Sequence, residues 1–180
     1  VNGSDFFYRP VQYLFCRGVI SGYADGTFRP NNNTTRGQFA KMLVLGRGWP
    51  VVTPAAPTFR DVPDTYPFYG YIETATQHGA ISGYDCGPGC REFRPGNNVT
   101  RGQISKLIAV ALGWTLTTPA TPTFRDVDAT NPFYAAIETV YAHGVISGYD
   151  CGPGCLEFRS ANNATRAQLS KMLWVAVTHP

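Results

Sequence analysis

Nothing in this chain of 180 residues runs long in a single character. It has no stretch of lysines and arginines, so nothing points to a nucleic-acid partner. It has no apolar stretch of 18 residues, so no membrane span is expected. It does not open with methionine, and no secretory signal segment is expected within it. Acidic residues are scarce, 12 against 15 lysines and arginines, and the net charge of +3 reflects that shortage more than any basic excess. No nucleophile–base pair, phosphate-cradling glycine loop or metal-ligand helix is present. No two carboxylates are placed as a glycosidase would need them. Neither catalysis nor a cofactor nor a bound metal is expected.

What the chain does have is repetition. Thr35-Arg36-Gly37-Gln38, Thr100-Arg101-Gly102-Gln103 and Thr165-Arg166-Ala167-Gln168 recur at an even period of 65 residues. Each follows an asparagine-rich loop: Asn31-Asn32-Asn33, Asn97-Asn98 and Asn162-Asn163. Such a period marks copies of one supersecondary unit, each too small to bury its apolar face alone. The expected repeats are 1–50, 59–114 and 124–178. Linkers rich in proline, threonine and alanine, 51–58 and 115–123, join them and are expected to run extended over the surface. Phe59-Arg60-Asp61-Val62 and Phe124-Arg125-Asp126-Val127 open the second and third copies, whereas Val1 aligns with Val62. The first copy thus lacks its opening, and the chain is expected to be a piece of a longer protein.

Within the second copy, Pro67 suits the first turn of a helix. Phe68, Tyr71, Ile72 and Ala75 follow at helical spacing and predict its buried face. His78-Gly79 ends it, as Arg17-Gly18 and His143-Gly144 end its counterparts, with the glycine able to take the left-handed closing conformation. A histidine there invites a catalytic reading. Arginine at the same place in the first copy argues instead for a polar group that complements the helix dipole. A turn follows. In the first copy it is Ala24-Asp25-Gly26-Thr27-Phe28, a hairpin signal. In the others it is enlarged by a Cys-Gly-Pro-Gly-Cys loop. The second helix starts at the motif threonine, because Thr followed three residues later by Gln is a capping box. Phe39, Met42 and Leu43, and their counterparts Ile104, Leu107, Ile108, Leu169, Met172 and Leu173, form its buried face.

Cysteine chemistry leaves two readings. Cys86 can pair with Cys90 and Cys151 with Cys155 as disulfides, each ring contributing about 2 kcal/mol on the loop-entropy model and implying an oxidising setting. Alternatively, the four sulfurs could make one zinc site. Their place in equivalent loops of separate repeats favours the disulfides. Cys16 is left over near a helix end and is expected to be a buried free thiol. Asn2, Asn32, Asn33, Asn98 and Asn163 head N-glycosylation triplets, but three of these abut the motif threonine, where helix-start chemistry explains them. Asp25, Asp85 and Asp150 lack the ligand spacing of a helix–loop–helix calcium site.

Arg36, Arg101 and Arg166 stand at the first helical position, where a cation opposes the helix dipole at about 0.3–1 kcal/mol. A disfavoured residue placed three times needs a reason. One is an anion site, made from free helix N–H groups plus a guanidinium fork. Gly37, Gly102 and Ala167 would be small enough to let the ligand approach, and Lys41, Lys106 and Lys171 would either add charge or simply be solvated. The other is an internal ion pair with Asp61 or Asp126.

These pieces occur in a fixed order: Phe-x-Asp-Val, Phe-Tyr, Gly-x-Ile-Ser-Gly-Tyr, Asp-Gly-Thr-Phe-Arg-Pro, the asparagine loop, and Thr-Arg-Gly-Gln with an apolar helix to Leu-Gly-Trp. In that order the chain resembles the S-layer homology (SLH) family over nearly its whole length. The resemblance implies a mainly α, pseudo-three-fold helical body with short hairpins, long loops and grooves between adjacent repeats. It implies an extracellular module that binds cell-wall polysaccharide non-covalently, often glycan bearing acidic pyruvate ketals. The motif arginines, here Arg36, Arg101 and Arg166, would point into the grooves. Gln replaces the family's usual Glu in all three motifs, Ser160 stands where the other copies have Pro30 and Pro95, and the third copy lacks a tryptophan matching Trp49 and Trp114. The alternative is a structural subunit of a surface layer or extracellular filament, held by contacts with other subunits.

Overall fold

A computed structural model describes residues 1–179. Each Thr-Arg-x-Gln motif starts a helix because both halves of its capping box close. Thr35 Oγ1 accepts from the Gln38 backbone N–H at 3.3 Å, and Gln38 Oε1 accepts from the Thr35 N–H at 3.0 Å. The Thr100–Gln103 and Thr165–Gln168 pairs repeat this. The motif helices are α2 (Arg36–Arg47), α4 (Arg101–Ala111) and α6 (Arg166–Thr178). The earlier helix of each copy is α1 (Tyr8–Cys16), α3 (Tyr69–Gln77) or α5 (Tyr134–Ala142). These end at Gly18, Gly79 and Gly144, all left-handed, with φ of 68°, 72° and 70°.

The motif helices meet at the centre, and each earlier helix packs on the motif helix of another copy: α3 on α2, α5 on α4, α1 on α6. The ring is therefore closed. Leu14, Phe39, Ile72, Ile104, Ile137 and Leu169 are fully enclosed, each worth about 1.5–3 kcal/mol relative to exposure. The backbone closes the same ring near its axis. Thr34 N–H donates to the Ala164 carbonyl at 3.1 Å, Ala164 N–H to Val99 at 3.0 Å, and Val99 N–H to Thr34 at 2.9 Å.

The expected mainly α class is corrected. The chain is 35% helical, with 11% strand in two small antiparallel sheets. β1 (Tyr84–Gly87) pairs with β2 (Cys90–Glu92), and β3 (Tyr149–Gly152) with β4 (Cys155–Glu157). Cys86–Cys90 and Cys151–Cys155 are disulfide-bonded across these hairpins. The first copy, four residues shorter at the tip, forms no ladder. There Asp25 accepts from the N–H and hydroxyl of Thr27 and binds Arg29, closing the turn with side chains.

Other details also differ from expectation. α3 starts at Tyr69, two residues after Pro67, so its enclosed face is Tyr69, Ile72 and Ala75, with Phe68 and Tyr71 half-buried. Cys16 is exposed, because it falls on the outer face of α1 rather than the face against α6. The linkers are extended but tethered to the following helix. Val52 N–H donates to Thr74 Oγ1, Thr58 donates through N–H and hydroxyl to Glu73, and the Tyr69 hydroxyl donates to the Pro54 carbonyl. Thr139, Glu138 and Tyr134 hold the second linker identically. Glu73 and Glu138 are buried at 4% and 3% exposure, which their hydrogen bonds make tolerable.

Candidate functional site

Three grooves lie between copies, each built from all three. The first, about 230 Å³, is lined by Arg36 from α2, Ser82 and Tyr84 from the turn after α3, Gln103 and Lys106 from α4, and Phe133 before α5. The second, about 140 Å³, has Arg101, Ser147, Tyr149, Gln168 and Lys171, with Phe6 as its aromatic wall. The third, about 110 Å³, has Arg166, Ser21, Gln38, Lys41 and Phe68. The arginine and lysine of one motif helix thus face different grooves. Circular packing brings Arg36 together with Lys106, Arg101 with Lys171, and Arg166 with Lys41. Among the described residues no acidic side chain lines any of the three.

The arginines are set deep. Arg36 and Arg101 are 9% and 6% exposed, and Arg166 is half-buried. Each Nε donates to a carbonyl in the next copy around the ring: Arg36 to Phe93 at 2.8 Å, Arg101 to Phe158 at 2.9 Å, Arg166 to Phe28 at 2.9 Å. Each guanidinium also lies over two rings. Arg36 is 4.5 Å from the Phe93 centroid and 5.0 Å from Tyr84. Arg101 sits likewise on Phe158 and Tyr149, and Arg166 on Phe28 and Tyr23. Desolvation lowers the pKa of all three arginines; nearby Tyr84 and Asp61 oppose the shift at Arg36. Arg166 differs in also donating Nη2 to the Ser21 carbonyl at 2.8 Å, so less of its fork is left for a ligand.

Two expectations about these arginines are overturned. The helix N–H groups beside them are not free. Arg36 N–H donates to the Asn97 carbonyl at 2.8 Å and Gly37 N–H to Pro95 at 3.0 Å, and the other two copies repeat the pattern. The asparagine loop of the neighbouring copy consumes the donors of the helix start. Nor do Asp61 and Asp126 form ion pairs with these guanidiniums. Asp61 accepts from the N–H groups of Phe93 and Arg94 at 2.8 and 2.6 Å, and Asp126 does the same for Phe158 and Arg159. The small residues serve packing. A β-carbon on Gly37 would lie 3.0 Å from Phe68 and one on Gly102 would lie 2.6 Å from Phe133, so the adjacent space is filled by protein.

Sequence reasoning missed a second set of cations. Arg29, Arg94 and Arg159 hold left-handed backbone, with φ of 53°, 60° and 62°, and lie 4.2, 4.5 and 4.5 Å from the rings of Tyr23, Tyr84 and Tyr149. Each of these tyrosines therefore carries two guanidiniums. The thrice-repeated Phe-Arg after the hairpin was the available signal. Gln103 and Gln168 have a further role beyond capping: each donates Nε2 to a tyrosine hydroxyl, Tyr84 at 3.0 Å and Tyr149 at 2.9 Å. A glutamate could not donate there.

A closed ring of three helix–turn–helix units with basic clefts at its seams is a repeat-built binding module. The chain belongs to the S-layer homology domain family, whose pattern matches residues 1–40, 58–104 and 123–170. It is 30% identical over 147 residues to "Cell surface glycoprotein 1" of Acetivibrio thermocellus, covering 76% of this chain and 6% of that protein. It is 26% identical over 168 residues to "Surface layer protein" of Brevibacillus choshinensis, covering 92% of this chain and 14% of that protein. "Middle cell wall protein" of Brevibacillus brevis is 24% identical over 168 residues, covering 92% and 15%. The chain thus spans a small part of the length of these relatives. It is an extracellular module of the cell surface.

Proposed function

We propose that the three grooves take acidic groups of a cell-wall polysaccharide, and that the chain thereby anchors a larger surface protein non-covalently. In this reading it performs no chemistry of its own. The convergence of Arg36 and Lys106 from different copies on one cleft carries the reading. Burial fixes the guanidinium, while the exposed lysine adds a mobile charge; together they suit a carboxylate such as that of a pyruvate ketal. Phe133 supplies a flat apolar wall for a sugar ring. The expected repeat boundaries of 1–50, 59–114 and 124–178 would make every groove a property of the whole ring.

Co-sedimentation with purified wall fragments tests this. Lys106→Gln and Lys171→Gln together are expected to weaken binding, and removal of the acidic ketals from the fragments to abolish it. Undiminished sedimentation in both experiments would refute the proposal. A second reading, a subunit contact within a surface layer, draws on the exposed rings of Phe6 and Phe15, at 61% and 60%. Ordered arrays of the purified chain in electron microscopy without glycan would favour it.

A further inference from the structure

At two of the three junctions between copies, an indole lies flat on the residue that ends the next early helix. Trp49 stacks on His78 with ring centroids 4.0 Å apart and planes 6° apart, and Trp114 on His143 at 3.7 Å and 4°. Each tryptophan reaches its place because a left-handed glycine, Gly48 or Gly113, stops the motif helix just before it. At the third junction Thr178 stands in that glycine's place and is helical. His179 then turns its ring toward Trp174, 5.9 Å away and nearly perpendicular. Among the described residues Arg17, the counterpart of His78 and His143, receives no ring from α6. A cleft of about 420 Å³ is lined there by Tyr13, Leu14, Arg17, Leu45, Arg47 and Val177.

The walls define what fits. The Arg17 guanidinium lies 4.5 Å from the Tyr13 centroid, and guanidinium planes stack on aromatic faces as the two imidazoles do under the tryptophans. Among the described residues, the buried Arg47 Nε has no hydrogen-bond acceptor and no acidic side chain lines the cleft. A carboxylate in the cleft would accept from the terminal guanidinium nitrogens of Arg47 and offset part of the cost of leaving that charge without an acceptor. We propose that this cleft between α1, α2 and α6 is a binding site for an aromatic ring that carries a carboxylate a few atoms away. The ring takes the place that Trp49 and Trp114 occupy elsewhere, and the carboxylate bridges Arg17 and Arg47. None of the groove arginines or lysines lines this cleft, so the site is independent of the wall-binding reading.

Titration of the whole chain with indole-3-acetate, followed by amide and side-chain NMR shifts, tests the proposal. Saturable shifts centred on Arg17, Arg47 and Tyr13 are expected. Arg17→Ala, or indole in place of the acid, should weaken binding about tenfold, the loss of one charge-assisted hydrogen bond. A short peptide ending in tryptophan is the second probe. Competition by it at the same residues identifies a chain terminus as ligand source, and binding by indole-3-acetate alone identifies a small aromatic acid; either supports the site. Thr178→Gly with His179→Trp supplies the chain's own indole and should abolish binding while raising the melting temperature, which reports that the variant is folded. Lys106→Gln should leave binding unchanged. Absence of saturable shifts with both probes, or unaltered binding in the double variant, overturns the proposal.

Discussion

Arg36 donates its Nε to the carbonyl of Phe93, 57 residues further along the chain and 2.8 Å away. The bond ties the start of α2 to the hairpin of the next copy, so this arginine is part of the scaffold as well as of the groove. Arg36→Ala should therefore cost about 2–3 kcal/mol in urea unfolding, because it removes a buried charge-assisted bond and strands a carbonyl. Lys106, exposed on the opposite wall, bears no such duty. Lys106→Gln should leave unfolding within about 0.5 kcal/mol of the parent while weakening wall binding roughly fivefold. Loss of binding in an arginine variant alone would not separate the two roles; the lysine variant does.

Gly102 and Gly37 occupy matching places with unequal room. A β-carbon on Gly102 meets Phe133 Cδ2 at 2.6 Å and the Ser160 carbonyl oxygen at 3.2 Å, whereas on Gly37 the nearest atom is Phe68 Cδ2 at 3.0 Å. Ala already stands at the third place, Ala167. Gly102→Ala should destabilise by about 1–2 kcal/mol, overpacking outweighing the helix-propensity gain. Gly37→Ala should be near neutral. Equal effects in denaturant melts would show that the Phe133 ring moves aside freely.

What the sequence disclosed was local. The capping boxes, the glycine stops and the Cys loops each involve residues within five positions, so their chemistry is written in adjacent letters. What it hid depends on partners far along the chain. The motif arginines were recognised as anomalous, yet their acceptors, the carbonyls of Phe93, Phe158 and Phe28, belong to other copies and are main-chain atoms with no sequence signature. The stacking of Trp49 on His78 crosses a copy boundary in the same way. The place of His78 at a helix end is legible in adjacent residues, whereas the indole that covers it comes from another copy. Cys16 was misplaced because the face of α1 that meets α6 was not known. Glu73 and Glu138 look like solvated helix carboxylates in the sequence; only the linkers above them explain their burial.

Thr34 sits at the axis with 0% exposure, and its hydroxyl has no hydrogen-bond partner. Its counterparts are Val99 and Ala164. Thr34→Val keeps the shape and removes the unpaired hydroxyl, and valine is already accommodated one copy further round. The variant should gain about 1 kcal/mol in thermal or urea unfolding. A loss would imply that a water reaches the hydroxyl.

Hydrogen bonds from Arg60 and then Arg94 hold Glu92 below the usual carboxylate range, and Arg125 and Arg159 do the same for Glu157. A folded-state pKa below the unfolded one gives stability that is complete above the ordinary carboxylate range and lost as pH falls through the folded value. Melting temperature should be flat from about pH 5 to 8 and decline below about pH 4. Glu92→Gln with Glu157→Gln should lessen the decline. The arginine partners are solvent-exposed and the two glutamates half-buried at the surface, so the change is small and salt-dependent.

The hairpins offer an internal control for the disulfides. The first copy closes its turn with Asp25, Thr27 and Arg29 and no sulfur, whereas Cys86–Cys90 and Cys151–Cys155 close the enlarged tips. A ring of this size restrains the unfolded chain by about 2 kcal/mol at most. The tip also lies outside the ring of backbone bonds joining Thr34, Val99 and Ala164. Cys86→Ala with Cys90→Ala should therefore speed amide exchange in β1 and β2 and lower global stability by no more than about 2 kcal/mol. Amides of α2 and α4 should stay protected, and the turn at Tyr23–Thr27 should not change. If reduction instead melts the whole chain cooperatively, the staples hold the grooves themselves together, because Tyr84 and Tyr149 begin the stapled strands and line the first and second grooves.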